Sequence, residues 1–106
     1  MRPLLALLLL IAVALPALAD DPPIALAIRD RQFVPREITI PAGKKVELKV
    51  RNEQAVPAEF ESTSLHRERV VPAGGTVSVF IGPLSAGRYE FFDDFHPETR
   101  GFVIVK

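Results

Sequence analysis

The chain has 106 residues, with no cysteine, 10 prolines and 6 glycines, and its 13 basic and 13 acidic residues give a formal net charge of 0. No basic surplus points to nucleic acid or to an anionic lipid surface. The absence of cysteine excludes both a disulfide framework and a thiolate ligand. One small domain is the expectation from length, held by its core, or by its core and a bound ion that favours the folded state.

The first element is a targeting segment. Met1-Arg2, the apolar run "LLALLLLIAVAL" from Leu4 to Leu15, and Ala17-Leu18-Ala19 have the order of a secretory signal peptide: charged start, apolar stretch, small-residue cleavage site. The run is shorter than the about 20 residues a spanning helix needs. Residues 1–19 are expected to be cleaved, leaving residues 20–106 as an exported domain; the alternative is an uncleaved N-terminal anchor. That domain would have a net charge of −1 and no cysteine to carry a lipid anchor.

The remainder reads as short strands between turn signals. "IALAI" (24–28) is a short apolar strand. "REITI" (36–40) alternates, with Ile38 and Ile40 on one face, and "PAG" (41–43) turns the chain. "KKVELKV" (44–50) alternates strictly, Val46, Leu48 and Val50 inward and the charged residues outward, the pattern of a half-buried antiparallel strand. "PAEFES" (57–62) follows, then "ERVV" leading into the "PAGG" turn (72–75). "TVSVFI" (76–81) puts Val77, Val79 and Ile81 on one side. After the "GPLSAG" turn (82–87) come "RYEFF" and "GFVIV". No stretch has a helical period, and the prolines disfavour long helices. Seven or eight strands of this kind predict an all-β Greek-key β-sandwich in one domain.

Two stretches concentrate charge. In "EFFDDFHPETRG", Tyr89 and Phe91 are expected to share the core face. The alternation breaks at Asp93-Asp94, so a loop is expected to carry Asp93, Asp94, His96 and Glu98. In "PAEFESTSLHRE", Phe60 is expected to face the core, which turns Glu59 and Glu61 together to the opposite face. Like charges two residues apart on one face repel unless solvated or neutralised by a cation. The residues alone leave both readings open: a solvated turn and a charged strand edge, or a cation site. No Ser-centred, phosphate-cradling or dinucleotide-binding motif is present.

The order of motifs resembles the cupredoxins. Phe33 to Ile40 match F-x-P-x-x-I-x-I, followed by Pro41-Ala42-Gly43 and a strand ending at Asn52. The segment "GRYEFFDDFHPETRGFVIV" is similar to the cupredoxin ending, G-x-Y-x-(Y/F)-x-C-x-x-H-x-x-M-x-G-x-(I/V)-x-V. The resemblance implies the β-sandwich and also shows what has changed. Asp93 stands where the family has its copper-ligand cysteine and Thr99 where it has methionine. Ala58 or Glu59 stands where it has the first histidine, and only His96 is kept. A blue copper site needs the cysteine with two histidines, so the resemblance does not carry that site here. "AEFES" and "FFDDFHPETRG" together look like the cysteine-less cupredoxin-like domains of the EfeO type, associated with bacterial iron uptake.

That likeness implies a periplasmic protein that binds an iron or copper ion and delivers or oxidises ferrous iron at a membrane iron permease or another periplasmic iron-uptake component. It implies metal ligands at Glu59 and His96 first, then Asp93 and Asp94, then Glu61 and Glu98, with a second site at His66 and Glu68. Oxidation of Fe(II) would make the protein an enzyme; binding and transfer would not. Two alternatives stand beside it. One is a metal-free sandwich that docks a partner protein through its acidic end. The other is a Cu(II) carrier.

Overall fold

The computed structural model describes residues 21–106; the expected signal peptide lies outside the described residues. Nine strands follow in order: β1 (Ile24–Arg29), β2 (Gln32–Val34), β3 (Glu37–Ile40), β4 (Val46–Asn52), β5 (Ala58–Ser62), β6 (Arg67–Val71), β7 (Thr76–Ile81), β8 (Gly87–Asp93) and β9 (His96–Val105). They form a four-stranded sheet, β2-β1-β4-β7, and a five-stranded sheet, β3-β9-β8-β5-β6. The β1–β4 and β3–β9 pairs are parallel and the rest antiparallel. The all-β sandwich is the architecture the sequence predicts, with nine strands rather than seven or eight. Among the described residues no helix is long and apolar enough to cross a membrane.

The additional strand is β2, joined to β1 by a two-residue turn. Asp30 (φ 50°) and Arg31 (φ 58°) both take the left-handed conformation that a tight hairpin demands at its two central positions. Neither is the glycine that would signal such a turn. Tertiary bonds hold it: Thr99 Oγ1 donates to the Arg31 carbonyl at 2.7 Å, and the Arg31 N–H donates to Gln54 Oε1 at 2.9 Å.

The facing sides of the two sheets make the core. Leu26, Ile28, Leu48, Val50, Val79 and Ile81 come from one sheet, and Ile38, Ile40, Phe60, Phe91, Val103 and Val105 from the other. Phe33, Phe60 and Phe91 form its aromatic centre. Phe60 stacks on Phe91 with centroids 5.2 Å apart, and Phe33 meets Phe91 edge-on at 4.8 Å. Gly101 pairs with Phe91 across β8 and β9. A Cβ there would lie 2.5 Å from the Phe91 ring and 2.8 Å from the Arg36 carbonyl. Neither the packed ring nor the backbone has room to give, so Gly101→Ala is expected to destabilise by about 3 kcal/mol, the upper end for overpacking. Chemical denaturation checks this; an unchanged midpoint would show that the strands can part there at no cost.

The open edges of β6 and β7 face each other, and arginines bridge them. Arg67 Nε donates to the Phe80 carbonyl at 2.7 Å, and Arg69 Nη1 reaches the Ser78 carbonyl at 3.5 Å. Charged side chains on carbonyls that would otherwise be free discourage a foreign strand from pairing there.

Candidate metal centre

β5 is an interior strand of the five-stranded sheet, bonded to β6 and β8. Ala58, Phe60 and Ser62 point into the sandwich and are fully buried. Period-two alternation therefore places Glu59 and Glu61 on the outer face. Across the strands, Glu61 is opposite Glu68 on β6 and Phe92 on β8, and Glu59 is opposite Val70. The β8–β9 connection is a two-residue turn, Asp94-Phe95, rather than the longer loop the sequence suggests. Asp94 leaves that turn on the same outer face. One carboxylate oxygen from each of Glu59, Glu61 and Asp94 lies within 4.8 Å of the others.

The cluster has no counter-charge of its own. Among the described residues, no lysine, arginine or histidine forms an ion pair with Glu59, Glu61, Glu68 or Asp94. Arg100, the nearest outer-face cation on β9, is paired instead with Glu90 and lies over the Phe92 ring. Glu59 is only 8% exposed. Its carboxyl is pushed up from the ordinary 4.5 to about 7, first by burial, then by Glu68 alongside it and by the charges of Asp94 and Glu61. The Glu61 carboxyl is also raised, by burial and then by Asp94 and Glu68.

The inner face of the same segment is different. Asp93, 1% exposed, occupies the position that resembles the copper cysteine, and its carboxylate is fully engaged. Oδ1 accepts the N–H of Glu59 at 2.9 Å and that of Phe95 at 3.0 Å; Oδ2 faces His96 Nδ1 at 3.1 Å. Thr99, in the methionine position, is buried and its hydroxyl is spent on the Arg31 carbonyl. Of the two residues that resemble the first-histidine position, Ala58 offers no donor atom and Glu59 turns its carboxylate to the outer face. The residues at the four copper-ligand positions therefore do not fit a blue copper centre: one thiolate and one imidazole are missing, and the carboxylate that remains is bonded within the protein.

Of the residues expected as ligands, the structure thus gathers Glu59, Glu61 and Asp94. It pairs Asp93 with His96 on the inner side of the turn and leaves Glu98 exposed on β9. His66 and Glu68 do not share a loop site. His66 is exposed at a left-handed turn position (φ 53°), whereas Glu68 lies in β6 beside the main cluster. Glu68 is the residue that the sequence placed wrongly. The hairpin register would have found it: a four-residue connection pairs Ser62 with Arg67, and hence Glu61 with Glu68.

A two-sheet sandwich with this strand order and a carboxylate cluster beside the last hairpin defines a cupredoxin-like protein. The chain belongs to the cupredoxin-like domain family, whose model matches residues 3–105. An uncharacterized protein of Rickettsia prowazekii (strain Madrid E) is 39% identical over 83 residues, covering 77% of this chain; the chain spans 66% of that relative's length. Amicyanin from Paracoccus versutus superposes with a TM-score of 0.64 at 25% identity, over 83% of this chain and 87% of its own. The metal-binding domain of the Cu(I)-exporting P-type ATPase CopA of Streptococcus pneumoniae D39, solved with Cu(I), superposes with a TM-score of 0.72. It is 15% identical over 79% of this chain and 84% of its own, a likeness of fold alone.

Proposed function

We propose that this protein is exported to the periplasm, where it captures a hard metal ion, iron before copper, and passes it to a membrane iron permease or another component of iron uptake. One observation carries the reading: Glu59, Glu61 and Asp94 converge within 4.8 Å, with Glu68 adjacent and, among the described residues, no ion pair to any cation. Glu59 is buried among carboxylates that are half-buried or exposed, and like charges held this close are costly; a cation is the ligand that would offset that cost. An all-oxygen set suits hard ions, and it holds Fe(III) more tightly than Fe(II) because the more highly charged ion gains more from anionic oxygen. The soft ligands of a copper carrier are absent from this face. Cu(II) would still bind in vitro, since it leads the affinity order at most nitrogen and oxygen sites. The Cu(I) named for the pneumococcal domain belongs to that protein. Transfer to a partner rather than turnover is the expected role, because an open carboxylate site gives an ion up by ligand exchange.

A second reading, docking of a partner protein at the acidic end without metal, draws on Val70 opposite Glu59 and Phe95 next to Asp94, which are 49% and 46% exposed. Calorimetric titration of the metal-stripped protein separates the two, with anaerobic Fe(II), Cu(II) and Ca(II) run in parallel on wild type, Glu59→Ala and Glu61→Ala. Saturable Fe(II) binding that each substitution weakens at least tenfold is the expected result. A folded protein that takes up none of the three ions would leave the docking reading in its place.

A further inference from the structure

Resting on the metal-site reading above, we infer that Asp93 is a positioning residue for the carboxylate centre rather than one of its ligands. Its inward carboxylate is the clamp that joins the two halves of the site.

The centre is assembled from two separate pieces of chain. Glu59 and Glu61 come from β5, and Asp94 comes from the β8–β9 turn, more than thirty residues later. The β5–β8 ladder is short: the two strands pair only at Phe60–Asp93 and Glu61–Phe92. Where it ends, two bonds continue it. The Asp94 N–H donates to the Glu59 carbonyl at 3.0 Å, and the Glu59 N–H donates to Asp93 Oδ1 at 2.9 Å. Both backbone groups of Glu59 are thus bound to consecutive residues of the β8–β9 hairpin, one through the main chain of Asp94 and one through the Asp93 side chain. The same Oδ1 accepts the Phe95 N–H at 3.0 Å, which fixes the turn itself, and Oδ2 is held by His96 Nδ1 at 3.1 Å. Asp93 is 1% exposed, on the side of the sheet opposite Glu59 and Asp94.

This arrangement sets the spacing of Glu59 and Asp94 through the backbone, without a side-chain contact to the ion. Groups that orient ligands in this way change metal affinity by about 10–100-fold when removed. The bonds also separate three roles by chemistry. A ligand needs the Asp93 charge. A positioning residue needs only an acceptor at Oδ1. A residue that merely stabilises the fold affects the unfolding midpoint but not the affinity of folded molecules.

The test compares Asp93→Asn and Asp93→Ala by anaerobic Fe(II) titration at a temperature where circular dichroism shows both folded. A Glu59→Gln/Glu61→Gln double variant serves as the control for the site. Asparagine keeps the Oδ1 acceptor for both N–H groups, so Asp93→Asn is expected to stay within about threefold of wild type, while Asp93→Ala falls at least tenfold. If the alanine variant does not fold, Asp93→Ser replaces it, with a similar drop expected because its hydroxyl cannot reach both N–H groups. A tenfold or greater loss in Asp93→Asn would make Asp93 a ligand and overturn the inference. Unchanged affinity in folded Asp93→Ala, or in Asp93→Ser where that stands in, would reduce Asp93 to a structural role and overturn it equally. If the Glu59/Glu61 double variant binds Fe(II) like wild type, the site reading itself has failed, whatever the Asp93 variants do.

Discussion

Glu59→Gln is expected to make the metal-free protein more stable at pH 8 while greatly weakening its hold on metal. The two effects have the same origin. The Glu59 carboxyl titrates near 7 in the folded protein and near 4.5 when unfolded. A carboxyl raised by folding contributes stability that is fully present below about pH 4.5 and is lost as the pH rises through about 7. In that window the folded protein holds a proton that the unfolded chain has released. The wild-type, metal-free protein should therefore lose stability between pH 5 and pH 8, by about 3 kcal/mol at most from this group. Glutamine has the shape of the protonated acid and no charge to lose. Its variant should match wild type at pH 4.5 and exceed it at pH 8, with a flatter profile. Metal reverses the order: a bound cation favours the ionised carboxylate, so saturating metal should lift wild type most at pH 8 and lift the variant little. Denaturation midpoints across pH, with and without metal, measure all four conditions. A Glu59→Gln variant no more stable than wild type at pH 8 would mean that the carboxylate is adequately solvated, and the case for a cation would weaken with it.

A residue that costs stability when empty and repays it when loaded is the expected form of a binding site. Proteins tolerate such costs where function requires them. The inner side of the same hairpin shows the opposite economy. Asp93 and Thr99 have their side-chain oxygens bonded within the protein and His96 Nδ1 faces Asp93, and among the described residues no buried side-chain nitrogen or oxygen lacks a partner. The resemblance carries Asp93 and either Ala58 or Glu59 onto copper-ligand positions, whereas the candidate centre uses Glu59 together with Asp94, the residue after Asp93. In a strand, one residue is the difference between the two faces. Asp93 and the carboxylates of the candidate centre thus lie on opposite faces of the same sheet.

Legibility in the sequence followed the physics of each element. β3, β4, β7 and the outer part of β9 alternate because one face is core and the other solvent, and period two reports that directly. The shared face of Glu59 and Glu61 was readable for the same reason, with Phe60 between them. β2 was not, because its turn uses Asp30-Arg31 in left-handed conformations that Thr99 and Gln54 stabilise from far away in sequence. β6 was read only in part because Arg67 to Val70 are all exposed, so no hydrophobic period marks the strand. The hairpin at Asp93 misled most. Its hydrophobic alternation stops at Phe92, yet the geometric alternation continues: Asp93 turns inward and Asp94 outward. A polar residue at an inward position hides the strand from any pattern of hydrophobicity, and the register irregularity between Phe92 and Asp93 hides the close of the hairpin. Sequence therefore grouped Asp93, Asp94 and His96 in one loop, whereas structure divides them between two faces.

Phe91→Ala is expected to have the largest effect on stability, and its response to metal bears on function. The Phe91 ring is fully buried, stacks on Phe60 and meets Phe33 edge-on. Removing such a ring costs about 3–5 kcal/mol through lost transfer energy and the cavity left behind, a large part of the 5–15 kcal/mol that holds a typical domain. Phe60 would lose its stacking partner, and Phe60 is the residue between Glu59 and Glu61. Two outcomes on adding metal then differ in meaning. If the carboxylates are held mainly by the β5 and β8 backbone, the folded variant binds as wild type does. An ion at 100 times its Kd would then return about 2.7 kcal/mol to both proteins. If the Phe60–Phe91 stack sets the pose of β5, the variant binds more weakly and recovers less. The backbone bonds from Asp93 and Asp94 to Glu59 favour the first outcome, so equal metal-induced shifts in the two denaturation midpoints are the expected result. A smaller shift in Phe91→Ala, with folding confirmed, would place control of the site in the aromatic core instead of the hairpin turn.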